Sequence, residues 1–218
     1  MLTADAVTCQ AGFKKCYARA SPVRVDAVPN ATAELPSRDF TFFAGHPALD
    51  LCATLTGRLK PQPQDLLVQP QDLAQWLVAA GVAAAAPAVG RDDVERARVL
   101  RECVYALALA RTQDERLPAA PRRALNGIAA GKSAVPKLGA DASLQVAGSA
   151  RQFLVSLARE ALRLLASPAR IRQCEAVSCA RLFIDTSRSG ERRWCSMSAC
   201  GNKAKVAQFR RRQLRQRS

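Results

Sequence analysis

Cys174-Glu-Ala-Val-Ser-Cys179 and Cys195-Ser-Met-Ser-Ala-Cys200, followed at once by Gly201-Asn-Lys203-Ala-Lys205, decide how the C-terminal part of this chain folds. Two close thiol pairs separated by fifteen residues can converge on one tetrahedral ion, and an all-sulfur set favours a single Zn2+. Four cysteines fill the tetrahedron and leave no position for water or substrate, so the metal reads as structural and the chain does not read as an enzyme. Between the pairs, Leu182 to Thr186 has strand character, Ser187 to Gly190 supplies turn residues and Glu191 to Trp194 returns, which predicts a hairpin. Thiol pair, hairpin, thiol pair and helix is the order of a treble-clef-like zinc module, with the helix N-terminus favouring thiolate charge. Phe183, Trp194 and Phe209 are expected to cover the metal.

The helix that follows is strongly basic. From Arg170 to the end there are thirteen Lys and Arg against Glu175, Asp185 and Glu191, so this segment holds most of the chain's net charge of +15. Such asymmetry points to a polyanionic partner, because Lys and Arg release condensed counterions when they meet phosphates. The candidate contacts are Arg181, Arg188, Arg192, Arg193, Lys203, Lys205, Arg210, Arg211 and Arg212, although Arg192 or Arg193 could instead pair with Asp185 across the hairpin. DNA is the favoured partner; RNA, or a protein partner of a zinc-stabilised adaptor, has related needs.

N-terminal to the module, apolar residues recur at helical spacing. Phe40 and Phe42 alternate as in a short strand, and Pro47 opens a helix with Ala48, Leu51, Cys52, Leu55 and Leu59 on one face. Leu73, Trp76, Leu77 and Ala80 form a second stripe between Pro70 and Gly81. Asp92 and Asp93 start a third and longest helix carrying Ala97, Leu100, Val104 and Leu107, and Pro121 to Ala130 forms a fourth. The interval 132–148 reads as a loop or short strand around Leu144-Gln-Val146. Ser149 caps the last helix, with Leu154, Leu157, Ala158, Ala161 and Leu165 on one face, and Ser167-Pro168 ends it.

The fold expected is therefore mainly α: a helical domain over 39–168 with a small strand pair, then a small α+β zinc module over 169–218. Residues 1–38 mix Ala, Pro, Ser and Thr without a period and predict a poorly ordered extension in which Cys9 and Cys16 are free thiols. The only histidine, His46, precedes Pro47 and reads as a capping or loop group, and Asp50 reads as a structural hydrogen-bonding group. No signal-peptide h-region is visible and no run approaches the roughly twenty apolar residues of a membrane span, so a reducing cytoplasm is the expected compartment.

The C-terminal residues resemble the CGNR zinc finger family: Cys174, Cys179, Phe183-Ile-Asp185-Thr-Ser-Arg188, Arg192-Arg-Trp-Cys195-Ser-Met and Cys200-Gly-Asn-Lys203-Ala-Lys205. Lys203 stands where the naming motif has arginine, which keeps a point charge but loses the bidentate fork. Residues about 40 to 165 are similar to the helical ABATE domain that accompanies this finger, described as a putative stress-induced transcription regulator. Ala48-Leu-Asp50-Leu-Cys-Ala53-Thr54 occupies the place of a pattern like L-D-F-x-N-T, with Ala53 at the asparagine position. The resemblance implies a bacterial transcriptional regulator whose finger contacts DNA and whose helical domain provides a homodimer surface or a small-molecule effector pocket.

Overall fold

The computed structural model describes residues 40–216, so the extension expected over 1–38, with Cys9 and Cys16, lies outside the described residues. From residue 45 the chain builds α1 (Pro47–Cys52), β1 (Leu55–Thr56), β2 (Gln64–Asp65), α2 (Pro70–Ala79), α3 (Arg91–Thr112), α4 (Ala119–Ala129), β3 (Val135–Leu138), β4 (Leu144–Ala147) and α5 (Ala150–Ala166). The finger region follows with β5 (Ile171–Gln173), β6 (Leu182–Ile184), one π-helical turn (Met197–Gly201) and α6 (Asn202–Gln216). A mainly helical region with small strand pairs, followed by a strand pair and helix around four cysteines, is the architecture the sequence predicts.

Helix α3 is the hub. Its inward face, Val94, Ala97, Leu100, Val104, Leu107 and Ala108, is buried against α1, α2, α4 and α5. The helix starts at Gly90, where the Asp93 carboxylate accepts the Gly90 N–H at 3.0 Å and satisfies a donor that the helix leaves open. Ser149 caps α5 reciprocally: its hydroxyl accepts from the Gln152 N–H at 3.4 Å, and the Gln152 side-chain oxygen accepts from the Ser149 N–H at 2.9 Å. Arg111 closes the far end of α5: its guanidinium donates to the carbonyls of Leu164 and Leu165 at 3.0 Å and of Ala169 at 3.2 Å. That side chain fixes the short linker into the finger.

Three sequence expectations are corrected. Phe40 and Phe42 lie in irregular chain, not in a strand. Helix α1 stops at Cys52 and does not continue to Leu59, because Thr54 folds back onto the Leu51 carbonyl at 2.7 Å and Gly57 takes a left-handed φ of 62°, turning Leu55–Thr56 into β1. The strand between the cysteine pairs does not pair with the returning segment 191–194; β6 pairs antiparallel with β5, which precedes Cys174, in the register Ile171↔Ile184. Asp185 takes the place of a hairpin ladder by accepting from the Ser187 N–H at 2.9 Å, the Ser187 hydroxyl at 2.6 Å and the Arg192 N–H at 3.0 Å. The loop is thus closed by a buried carboxylate.

The finger has no separate core. Phe183 and Leu182 of β6, Ile171 of β5, and Cys174 and Cys195 belong to one continuous buried cluster with Leu49, Leu51, Leu100 and Leu107 of the helices. Backbone bonds join the two parts as well. The Ile184 N–H donates to the Ala44 carbonyl at 2.8 Å, and the Ala44 N–H donates to the Asp50 carboxylate at 3.0 Å. Burial pushes the Asp50 carboxyl up to about 6, against the Ala44 bond and the field of Arg181. His46 caps α1, its Nδ1 accepting from the Ala48 N–H at 3.2 Å, and burial lowers its pKa.

Candidate metal centre and basic surface

Local hydrogen bonds bring the two cysteine pairs together. The Cys174 N–H donates to the Arg181 carbonyl at 2.9 Å, closing the first loop, and the Glu175 N–H donates to the Arg193 carbonyl at 3.0 Å, laying the second pair beside it. The Cys195 N–H donates to the Cys174 sulfur at 3.4 Å, a backbone bond that ties the second pair to the first. Ser196 caps the π-helical turn that carries Cys200, accepting from the Ala199 N–H. Gly201 is closely packed there: a Cβ would lie 2.8 Å from the Met197 sulfur and 3.2 Å from the Trp194 ring, so both side chains would have to shift.

The sulfurs of Cys174, Cys179, Cys195 and Cys200 all lie within 4.8 Å of one another. Cys195 is 3.8 Å from Cys179 and 3.6 Å from Cys200, sulfur to sulfur. Four ligands at about 2.3 Å from a tetrahedral zinc have edges of about 3.8 Å, so the cluster fits one Zn2+. Among the four, Cys174 and Cys195 are buried while Cys179 and Cys200 are half-buried. Without a cation such a cluster cannot carry four negative charges. The hydrogen bond to Cys179 raises the Cys195 thiol, with burial and like charges adding to it, and burial pushes Cys200 up to about 11. Cys179, receiving that hydrogen bond, is held down to about 5. A divalent ion replaces the remaining protons, which makes metal affinity fall with falling pH.

Around the cluster the aromatic residues divide. Phe183 is fully buried and Trp194 half-buried, but Phe209 is 63% exposed on α6 and so does not pack as a cover over the metal site. The basic residues divide too. Arg192 is turned inward, donating to the carbonyls of Trp194 at 2.9 Å and of Cys195, with its guanidinium 4.5 Å from the Phe183 ring centre. Arg193 pairs with Glu175 at 2.6 Å and lies over Trp194, so neither arginine makes a side-chain pair with Asp185. Arg172, which the sequence reading passed over, is the nearest guanidinium to that carboxylate, at 3.8 Å. Arg181 is half-buried near Asp50. Arg188, Lys203, Lys205, Arg210 and Arg212 are exposed, and none of them has an ion-pair partner among the described residues; the Arg211 side chain lies outside the described residues.

Sequence reasoning also missed a polar knot within the helical domain. Arg101 is buried on α3 and makes a bidentate pair with Asp65 at 2.7 and 2.9 Å, reaching Thr54 at 3.2 Å and Glu102 at 2.9 Å. It ties β2 and the end of α1 to the hub helix. A single arginine in a run of helical charge carries no sign of this in the sequence.

The fold and the site together define a helical domain joined to a four-cysteine zinc finger. The ABATE family model, described as a putative stress-induced transcription regulator, matches residues 45–168, and the CGNR zinc finger model matches residues 170–213. The chain belongs to the ABATE family, with a CGNR zinc finger following the ABATE domain. Neither description names a catalytic activity. None of the curated proteins matches the chain. Among the described residues no helix is long and apolar enough to cross a membrane.

Proposed function

We propose that this protein is a DNA-binding transcriptional regulator in which Cys174, Cys179, Cys195 and Cys200 hold a structural Zn2+ and the finger presents α6 to the DNA backbone. The observation that carries the reading is the state of α6. Its described side chains from Lys205 to Arg210, and again Arg212 and Gln213, are exposed on every face, and they include cations with no internal partner. A helix left uncovered on every described face gains little from packing, so its cationic surface is explained by a polyanion outside it. Lys203, Lys205, Arg210, Arg211 and Arg212 are assigned to phosphate contact, with Arg188, Arg181 and Arg193 at the margin, while Arg192 serves the finger's own fold. The transcription-regulator description of the family supports DNA as the polyanion. The helical domain, over 39–168, supplies a dimer surface or senses a ligand.

Exposed Phe209 on the same helix favours one second reading, single-stranded RNA, since an uncovered ring among arginines can stack on a base. Titration of the zinc-loaded chain against duplex DNA, single-stranded RNA and heparin at several salt concentrations separates the readings. Duplex DNA binding tighter than the other two supports the proposal. Tighter RNA binding that is lost in Phe209→Ala supports the second reading, and equal weakness toward all three at physiological salt removes both.

A further inference from the structure

A cleft of about 590 Å³ opens between the helical domain and the finger. One wall is the β1 region with Leu55, Arg58 and Lys60, together with Tyr105 of α3; the other includes Val177 of the first cysteine loop and Lys203 at the start of α6. Its size and its place at a domain junction are those of small-molecule sites. We propose that this cleft binds a small organic anion, one carboxylate or sulfonate on an apolar body.

Charge and surface both point that way. Arg58, Lys60, Arg181, Arg193 and Lys203 line the cleft; among the described residues its one carboxylate is Glu175, which pairs with Arg193, and Cys179 and Cys200 bring the edge of the metal site to it. Lys60 and Lys203, one from each wall, are exposed and have no ion-pair partner among the described residues. Arg58 spends its two terminal nitrogens on Glu102, at 2.7 and 3.0 Å, so it is Lys60 and Lys203 that are left to meet an anion. The apolar requirement comes from Leu55 on one wall and from the fully exposed Val177 on the other. An anion with no apolar body would leave Val177 in water, and an uncharged apolar ligand would leave the lysines unmatched.

The anion bridges the two domains and neutralises Lys203 in the first turn of the basic helix, so its binding opposes DNA binding, and DNA opposes the anion by the same factor. That coupling rests on the DNA reading of α6; binding of the anion does not.

The test uses the zinc-loaded full chain and the fluorescent anion anilinonaphthalene sulfonate, with octanoate, octanol and octylamine as competitors. Saturable one-to-one binding is expected, displaced by octanoate and not by octanol or octylamine. Lys60→Glu, a change at an exposed residue, should weaken the probe about tenfold or more with zinc content and circular dichroism unchanged. Lys137→Glu, on the remote β3 strand, should leave it unchanged. Absence of saturable binding, equal competition by octanol, or equal weakening by Lys137→Glu would overturn the site. So would a loss of DNA affinity in Lys60→Glu as large as its loss of probe affinity, since the cleft would then be part of the nucleic-acid surface. Probe binding with these dependences in a protein that binds no nucleic acid would support the cleft and remove only the DNA reading.

Discussion

The helical domain and the finger are stabilised by different means although they share one buried cluster. Helices α1 to α5 close over their own aliphatic residues, among them Leu49, Leu73, Trp76, Leu100 and Leu154, all with no exposed surface. The finger contributes little more than Phe183, Leu182 and Ile171 to that interior and depends for the rest of its shape on four sulfurs and the buried Asp185 carboxylate. Two small strands and a loop cannot bury enough apolar area to offset the entropy of ordering them. The difference separates two means of stabilisation: the helices rest on a shared apolar interior, and the cysteine loops rest on the metal.

Metal removal breaks the comparison most severely. A structural zinc supplies about 10–16 kcal/mol of apparent binding free energy in small fingers, so chelation, or Cys195→Ser, should unfold 174–212 while α1 to α5 persist. Limited proteolysis should then cut within the finger region, and circular dichroism should keep most of its helical signal. Simultaneous loss of both parts would mean that the shared core, not the metal, governs the finger.

Phe183→Ala sharpens the same contrast from the apolar side. Removing this fully buried ring should cost about 3–5 kcal/mol in denaturant unfolding. It should also expose the amides of both β6 and residues 44–50 to hydrogen exchange, because Ile184 is bonded to Ala44 and Ala44 to Asp50.

Asp50 gives the junction a pH dependence. Its folded pKa of about 6 lies above the ordinary 3.8, so its contribution to stability is fully present below about 3.8 and is lost as pH rises through about 6. At about 1.4 kcal/mol per pKa unit the loss reaches roughly 3 kcal/mol by neutral pH. Asp50→Asn, which keeps an acceptor for the Ala44 N–H, should remove that slope, measured as the unfolding midpoint between pH 4 and pH 7. Asp65 and Glu102 have the opposite sign: burial works against them, but their arginine partners hold both below the usual carboxylate range. Their contribution is lost only as pH falls through those lowered values. The smallest effect expected is that of Arg193→Ala, whose exposed pair with Glu175 should be worth no more than about 1 kcal/mol of stability.

The parts of this fold that sequence makes legible are those with repeating physics. Helices α2, α3 and α5 announce themselves through apolar spacing and through residues that end them, such as Gly81, with φ of 68°, and the Ser149 cap. The cysteine pairs are legible because metal geometry demands such spacing. What stayed hidden depends on distant partners. Nothing local distinguishes Leu182–Ile184 pairing forward from pairing backward to Ile171–Gln173, and Phe40 and Phe42 alternate without a neighbouring strand to join. Charge count alone cannot tell Arg192, folded inward onto the Cys195 carbonyl, from Arg210, left on the surface.

The measurement that bears most directly on the account is the salt dependence of duplex DNA binding by the zinc-loaded chain and by Arg210→Ala and Arg212→Ala. Log affinity should fall linearly with log salt at about −0.9 per phosphate contacted, and each substitution should make that slope shallower by about one without releasing zinc. A slope unchanged by both substitutions, or no salt-dependent binding at all, would contradict the claim that the finger exists to present α6 to DNA.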